Sequence, residues 1–206
     1  MYRRNLKHSR VKNLYKFSSL KMDSIMTVES GLEFDACFHF EYSPNVTFFE
    51  AQPEGYYYDY LDKNLPYTPD FLVDDKVKGL RVIEVKPLSK IPDPEFRDRF
   101  RCKQRAAEAL GVPVVLVSEN QIRLNPILNN LKLLHRYAGL QSLNSLHYKI
   151  LELVKFSGVI SVRDLLSQTD SMEGDVLAST VTWLSVGKLK TDLCSSDLGL
   201  DSLVWC

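Results

Sequence analysis

The sequence predicts an α/β domain with a mixed sheet and flanking helices, followed by a small α+β domain of three helices and a two-stranded wing. Three observations carry this. Runs rich in β-branched and aromatic residues, separated by turn residues, fill residues 46–86. A helical stretch then lies between two apolar runs, "LRVIEVKP" and "VPVVLVSE", an order that implies a right-handed crossover and parallel pairing of the two strands. After the linker-like "AGLQSLNS" the pattern becomes helical and closes on two short apolar runs. The expected divisions are a basic N-terminal arm over 1–23, the α/β domain over 24–139 and the C-terminal domain over 140–206.

Taken in order, a first helix is expected from Ser24 to Tyr42, because Val28, Leu32 and Ala36 recur at helical spacing, with Glu29 and Glu33 on its polar side and Pro44 as its stop. "VTFFEAQP", "YYYDYL", "DFLVDD" and "LRVIEVKP" read as strands, the last two joined by the turn "DDKVKG". Asp93 as N-cap, Pro94 at the first helical position and Gly111 as the stop bound the next helix. "VPVVLVSE" is a buried-strand pattern. A helix near 126–138 precedes the linker. Helices at Leu146–Phe156, over "ISVRDLLSQ" and at Glu173–Val186, then "KLKTDL" and "SLVWC", follow the winged-helix order.

Composition bounds the function. The chain has 206 residues, 45% apolar and 25% charged, an ordinary balance for a soluble globular protein. No apolar run reaches the length of a membrane span, so a cytoplasmic protein with no membrane partner is expected. The four cysteines form no C-x-x-C pair, which argues against a zinc ribbon or a disulfide framework. A net charge of zero hides an asymmetry: residues 1–21 carry seven basic residues and no acid. Arg3, Arg4 and Lys7 in this arm are candidates for phosphate contacts, a solvated tail being the alternative. His8, His39, His135 and His147 show no metal-ligand spacing, and no phosphate-binding glycine motif occurs.

The chemistry gathers in "YTPDFLVDDKVKGLRVIEVKP", residues 67–87. An aspartate on one strand and a glutamate on its hairpin partner can converge on one cation, which makes Asp70 and Glu84 candidate ligands for Mg²⁺. The two-residue period of a strand puts Glu84 and Lys86 on one face and turns Val85 to the core, its carbonyl a candidate further ligand. Lys86 can orient or help deprotonate water and offset charge on a phosphate, and Glu33 can reach the cluster as a third carboxylate. The same residues also occur in ordinary exposed hairpins; charged residues inside apolar strand runs, costly without a partner or metal, favour the site.

Residues 67–87 resemble the PD-(D/E)xK nuclease motif. Together with "ESGLEFD", "FFEAQP", "YTPDFLV" and "IEVKP" in that order, the stretch 24–125 resembles the TnsA family, endonuclease subunits of heteromeric cut-and-paste transposases. The resemblance implies a restriction-endonuclease-like mixed sheet and a Mg²⁺-dependent enzyme, with Mn²⁺ as substitute, that cuts double-stranded DNA at the 5′ ends of the transposon. It implies a TnsB-type DDE transposase and a TnsC-type AAA+ ATPase as partners, the latter through the C-terminal domain. Carried over residue by residue, it makes Glu33, Asp70, Glu84 and Lys86 the catalytic set. Gln52 falls in a family motif, either positioning the metal site or bonding a neighbouring strand.

Arg97, Arg99, Arg101, Lys103 and Arg105 crowd the helix after "EVKP"; Arg97, Arg101, Lys103 and Arg105 are candidate DNA-backbone contacts, a solvated helix face being the alternative, and Gln104 is a weaker accessory candidate. The third C-terminal helix has Glu173 and Asp175 and no Lys or Arg, which suits a protein partner better than a DNA groove. Two other readings stay open on the sequence: a stand-alone restriction or repair nuclease, and a non-catalytic adaptor between DNA and protein.

Overall fold

The computed structural model describes residues 13–139 and 142–206, so Arg3, Arg4 and Lys7 lie outside the described residues. The chain divides into two compact units, 1–124 and 125–206.

The first unit is built on a four-stranded mixed sheet in the order β3-β6-β7-β8. Strands β3 (Val46–Ala51), β6 (Phe71–Asp75) and β7 (Gly79–Val85) pair antiparallel, and β8 (Val114–Val117) joins β7 in parallel. The expected crossover is helix α2 (Pro94–Ala109), whose Asp93 cap accepts from Glu95 N and Phe96 N. Phe100 and Ala107 of α2 are buried against Val82 and Val114 on one sheet face. On the other face lies helix α1 (Gly31–Tyr42), whose Phe40 ring sits 5.1 Å from Phe71 and 5.6 Å from Phe49. The alternation of a strand thus sends Phe71, Val73, Ile83 and Val85 toward α1 and Leu72, Val82 and Glu84 toward α2.

Two parts of this unit differ from expectation. The first helix begins at Gly31, because Ser24–Val28 forms β2, paired antiparallel with β1 (Tyr15–Ser19). Leu32 and Ala36 do lie on one side of the helix, but Val28, four residues before Leu32, ends strand β2 and matches the helical spacing by coincidence. Met26 and Val28 are buried on the hairpin's inner side, and Ser30 starts the helix by accepting from Glu33 N. The expected arm therefore contains a strand from Tyr15 onward. Glu41 locks this hairpin onto α1 by accepting from Leu20 N, Lys21 N and Ser19 Oγ, while Lys21 Nζ donates to the carbonyls of Phe40 and Ser43 at the helix end and of Val46 at the start of β3. The second difference is a strand, β5 (Lys63–Tyr67), which pairs with β4 (Tyr56–Tyr60) in a separate hairpin. Pro66 obscures it in the sequence, and a two-stranded hairpin tolerates a proline on its open edge.

The second unit starts earlier than the linker implies. Helix α4 (Ile127–Tyr137), which follows the short α3 (Glu119–Ile122) of the first unit, buries Leu128, Leu131 and Leu134, and its Asn130 side chain donates to Leu193 O and Ser196 O and accepts from Leu198 N. These bonds tie the helix to the C-terminal segment. Helices α5 (Ser145–Ser157), α6 (Val162–Ser167) and α7 (Glu173–Ser185) follow. A three-stranded sheet, order β10-β11-β9, combines β10 (Lys190–Thr191), β11 (Leu203–Trp205) and β9 (Val159–Ser161). Strand β9 replaces the start of the helix expected over "ISVRDLLSQ": Ser161 caps α6 by accepting from Asp164 N, which leaves Val159 and Ile160 extended. Ile150, Val154, Leu165, Val176, Val181 and Val204 form the core of this unit.

Candidate active site

Asp70 sits where β6 begins, and its backbone is held from both sides. Its N donates to Ile83 O at 3.1 Å, its O accepts from Gln52 N at 2.9 Å, and its carboxylate Oδ2 accepts from Val85 N at 2.7 Å. Extended by one step, the β6–β7 register sets Asp70 opposite Glu84, so the hairpin brings the two carboxylates together. Asp70 keeps some solvent contact, yet its carboxyl is pushed well above the ordinary range, first by desolvation and then by the charges of Glu84 and Glu33; the Val85 N–H and Lys86 oppose this only in part. Three acidic groups from α1, β6 and β7 therefore share one electrostatic neighbourhood.

Glu33 and Glu84 are 7% and 5% exposed. Glu33 is also the third residue of a helix cap: its carboxylate accepts from Ser30 Oγ at 2.7 Å and Glu29 N at 3.0 Å, while Ser30 Oγ accepts from Glu33 N. Glu84 is engaged at both oxygens. Tyr67 OH donates to Oε2, Lys103 Nζ lies 3.2 Å from Oε1, and Lys86 Nζ lies 3.9 Å from the same atom. Among the described residues, no group of three or more His, Cys, Asp or Glu side chains is arranged to hold a metal ion as the structure stands.

Tyr67 was not singled out by the sequence. The close approach of Gly55, where a Cβ would meet Tyr67 O at 2.3 Å, seats the end of β5 against the start of β4. The Tyr67 ring then packs edge-on to Tyr56 at 5.2 Å and under Lys103 Nζ at 3.9 Å. Burial and the adjacent Glu84 push its hydroxyl far above the ordinary tyrosine value, so it stays protonated as a donor. A tyrosine three residues before the aspartate, at a strand end, was the available signal.

Lys103 differs from its expected role. It projects from the inner side of α2 into the carboxylate cluster, its side chain 14% exposed, whereas Arg97, Arg101 and Arg105 are exposed at four-residue intervals along the helix. Arg101 pairs with Asp98 at 3.3 Å, and Arg99 pairs with Glu95 and covers the Tyr60 ring. Gln104 also stands apart from the cluster, donating weakly to Val114 O at 3.4 Å and so linking α2 to β8.

Gln52 is buried with a left-handed φ of 51°, and neither polar atom of its side chain has a hydrogen-bond partner among the described residues. A buried amide left unpaired costs roughly 1–3 kcal/mol, and the backbone strain adds to this. Of the two roles open to it, bonding a neighbouring strand through its side chain is not seen; only its backbone N–H bonds across, to Asp70 O.

Comparison with known proteins agrees with this geometry. A search against curated proteins gave no match. Residues 43–119 match the family described as TnsA-like endonuclease N terminal, a span that includes Asp70, Glu84, Lys86, Gln52 and Lys103 and leaves out Glu33 and the second unit. Residues 43–119, which hold the β3-β6-β7-β8 sheet and helix α2, are thus similar to the N-terminal domain of TnsA-like endonucleases.

Proposed function

We propose that the chain is the metal-dependent endonuclease subunit of a heteromeric cut-and-paste transposase, hydrolysing phosphodiester bonds at the 5′ ends of the transposon. The observation that carries the reading is the pairing of Asp70 with Glu84 across β6 and β7, with Lys86 on the same face as Glu84. The surroundings suit a hard divalent cation: Asp70 faces the carboxylates of Glu84 and Glu33, whose charges Lys86 offsets only in part at Asp70, and the unpartnered side-chain amide of Gln52 belongs to the residue bonded to Asp70 O. Asp70, Glu84, the Val85 carbonyl and Glu33 would hold Mg²⁺ or Mn²⁺, which when bound supplies charge stabilisation and a lowered water pKa.

The chain's own residues do the rest. The Val85 N–H fixes one Asp70 oxygen, and Tyr67 fixes one Glu84 oxygen, so neither carboxylate has to be ordered on substrate arrival. Lys86, its side chain 36% exposed and its ammonium resting 5.3 Å from the Phe96 ring centre, is placed to meet a phosphate oxygen and orient water. Arg97, Arg101 and Arg105 line the outward side of α2 as contacts for the DNA backbone.

We read the second unit, whose elements after α4 run α5-β9-α6-α7-β10-β11, as a winged-helix-like domain that serves as the docking domain for a TnsC-type ATPase beside a TnsB-type transposase. What supports a protein partner is the first turn of α7, which carries Glu173 and Asp175, and exposed Phe156 (93%) and Met172 (78%). The test is DNA cleavage with Mg²⁺ or Mn²⁺, by the chain alone and with its transposase partners on transposon-end DNA. Activity only in the assembly, lost in Asp70→Ala, supports the subunit reading; activity of the chain alone on any duplex makes it a stand-alone nuclease.

A further inference from the structure

Two lysines stand on one carboxylate, and the less exposed of them is tied there from several sides. Lys103 Nζ is 3.2 Å from Glu84 Oε1 and 3.9 Å from the centre of the Tyr67 ring, and the backbone carbonyl of Lys103 accepts from Tyr56 OH at 3.0 Å. The β4–β5 hairpin thus grips α2 at this residue through both its side chain and its backbone. Burying an ammonium is costly unless a carboxylate compensates it. The compensating carboxylate here is Glu84, a candidate metal ligand, and its other oxygen is already taken by Tyr67.

We propose that Lys103 is an internal counter-cation that holds Glu84 in the metal-free site, so that a divalent cation and the Lys103 ammonium compete for the same carboxylate oxygen. This inference rests on the nuclease reading and deepens it. A divalent ion at Glu84 would stand within a few ångströms of the ammonium and repel it, so metal entry requires Lys103 to leave Oε1. Lys103 is in this sense a positioning residue. It keeps Glu84 aimed into the site before metal arrives and sets the threshold at which metal is admitted. Lys86, 3.9 Å from the same oxygen and more exposed, can swing to solvent or phosphate without that constraint.

The test is Mn²⁺ binding to the full-length chain without DNA, followed by the electron paramagnetic resonance signal of free Mn²⁺. Lys103→Met removes the competitor and keeps an unbranched side chain of similar length, so affinity should rise about tenfold or more, as for loss of one cation from a partly buried carboxylate. Lys103→Arg, which restores the charge, should bind Mn²⁺ as the wild type does. Unchanged or weaker Mn²⁺ binding in Lys103→Met overturns the inference. If thermal melting shows that Lys103→Met does not fold, Lys103→Gln makes the same comparison. Asp70→Asn separates the metal site from the role of Lys103. Binding that survives in Asp70→Asn removes the metal site itself; binding abolished in Asp70→Asn but unaltered in Lys103→Met leaves the site and removes only the role of Lys103.

Discussion

Lys103 Nζ stands 3.2 Å from Glu84 Oε1, while Lys86 Nζ stands 3.9 Å from it, so the lysine of the E-x-K motif is the more distant of the two cations on that oxygen. Its looser tie leaves Lys86 available for substrate. Lys86→Met should therefore lower the cleavage rate of the assembled transposase about 10²-fold or more, the usual scale for losing one preorganised charge at a developing anion. Thermal melting of the variant should stay close to wild type, because Lys86 is the more exposed and more distant of the two cations on Glu84, which keeps Lys103 and Tyr67 as partners.

Tyr67 contributes to the site through its hydroxyl and to packing through its ring. Tyr67→Phe keeps the edge-on contact with Tyr56 and the surface under Lys103 but leaves one oxygen of a buried carboxylate without its donor. The expected cost is about 1–3 kcal/mol in urea unfolding of the full chain. A variant as stable as wild type would show that Glu84 finds another donor.

The cap that starts α1 also shapes the site. Ser30→Ala removes the acceptor for Glu33 N and the donor to Glu33 Oε1 together. Stability should fall by about 1 kcal/mol, the ordinary value of a serine N-cap. Because Glu33 loses its anchor, cleavage should fall by more than the drop in folded protein explains; rates normalised to the folded fraction measure the difference.

Arg97, Arg101 and Arg105 should act on DNA through phosphates alone. Replacing all three by alanine should reduce the dependence of duplex binding on log salt by about 0.9 for each phosphate no longer neutralised, read by fluorescence anisotropy over a salt series, with no change in sequence preference. Their exposure predicts melting curves that overlay those of wild type.

In the second unit, His147 is buried, its Nε2 has no partner among the described residues, and desolvation depresses its pKa below the ordinary histidine value. The unfolded chain then binds a proton that the folded unit resists. Stability is complete above about pH 6.5 and falls as pH drops below it. The two tryptophans, Trp183 and Trp205, both lie in this unit, so their fluorescence during thermal melts from pH 8 to pH 5 reports it selectively. His147→Gln should flatten the profile.

The parts of this protein written in local patterns were legible in the sequence. Asp93 and Pro94 opened α2, the "DDKVKG" turn joined β6 to β7, and the period of two placed Glu84 and Lys86 on one face. What escaped depends on contacts between distant segments. Ser24–Val28 has helix-compatible spacing and becomes a strand because β1 is there to pair with it. Lys103 resembles its arginine neighbours in the sequence; only the 3.6-residue turn of α2 and the position of the β4–β5 hairpin separate it from them. Tyr67 is invisible as a site residue until β5 is known to end beside Glu84.

The most direct test of the central claim is strand-resolved mapping of cuts at the transposon ends by the assembled transposase, comparing wild type with Asp70→Ala. A metal site built on Asp70 and Glu84 predicts that Asp70→Ala loses the cut at the 5′ ends while the partner transposase still cuts the 3′ ends. Cutting of the 5′ ends by Asp70→Ala at the wild-type rate would contradict it.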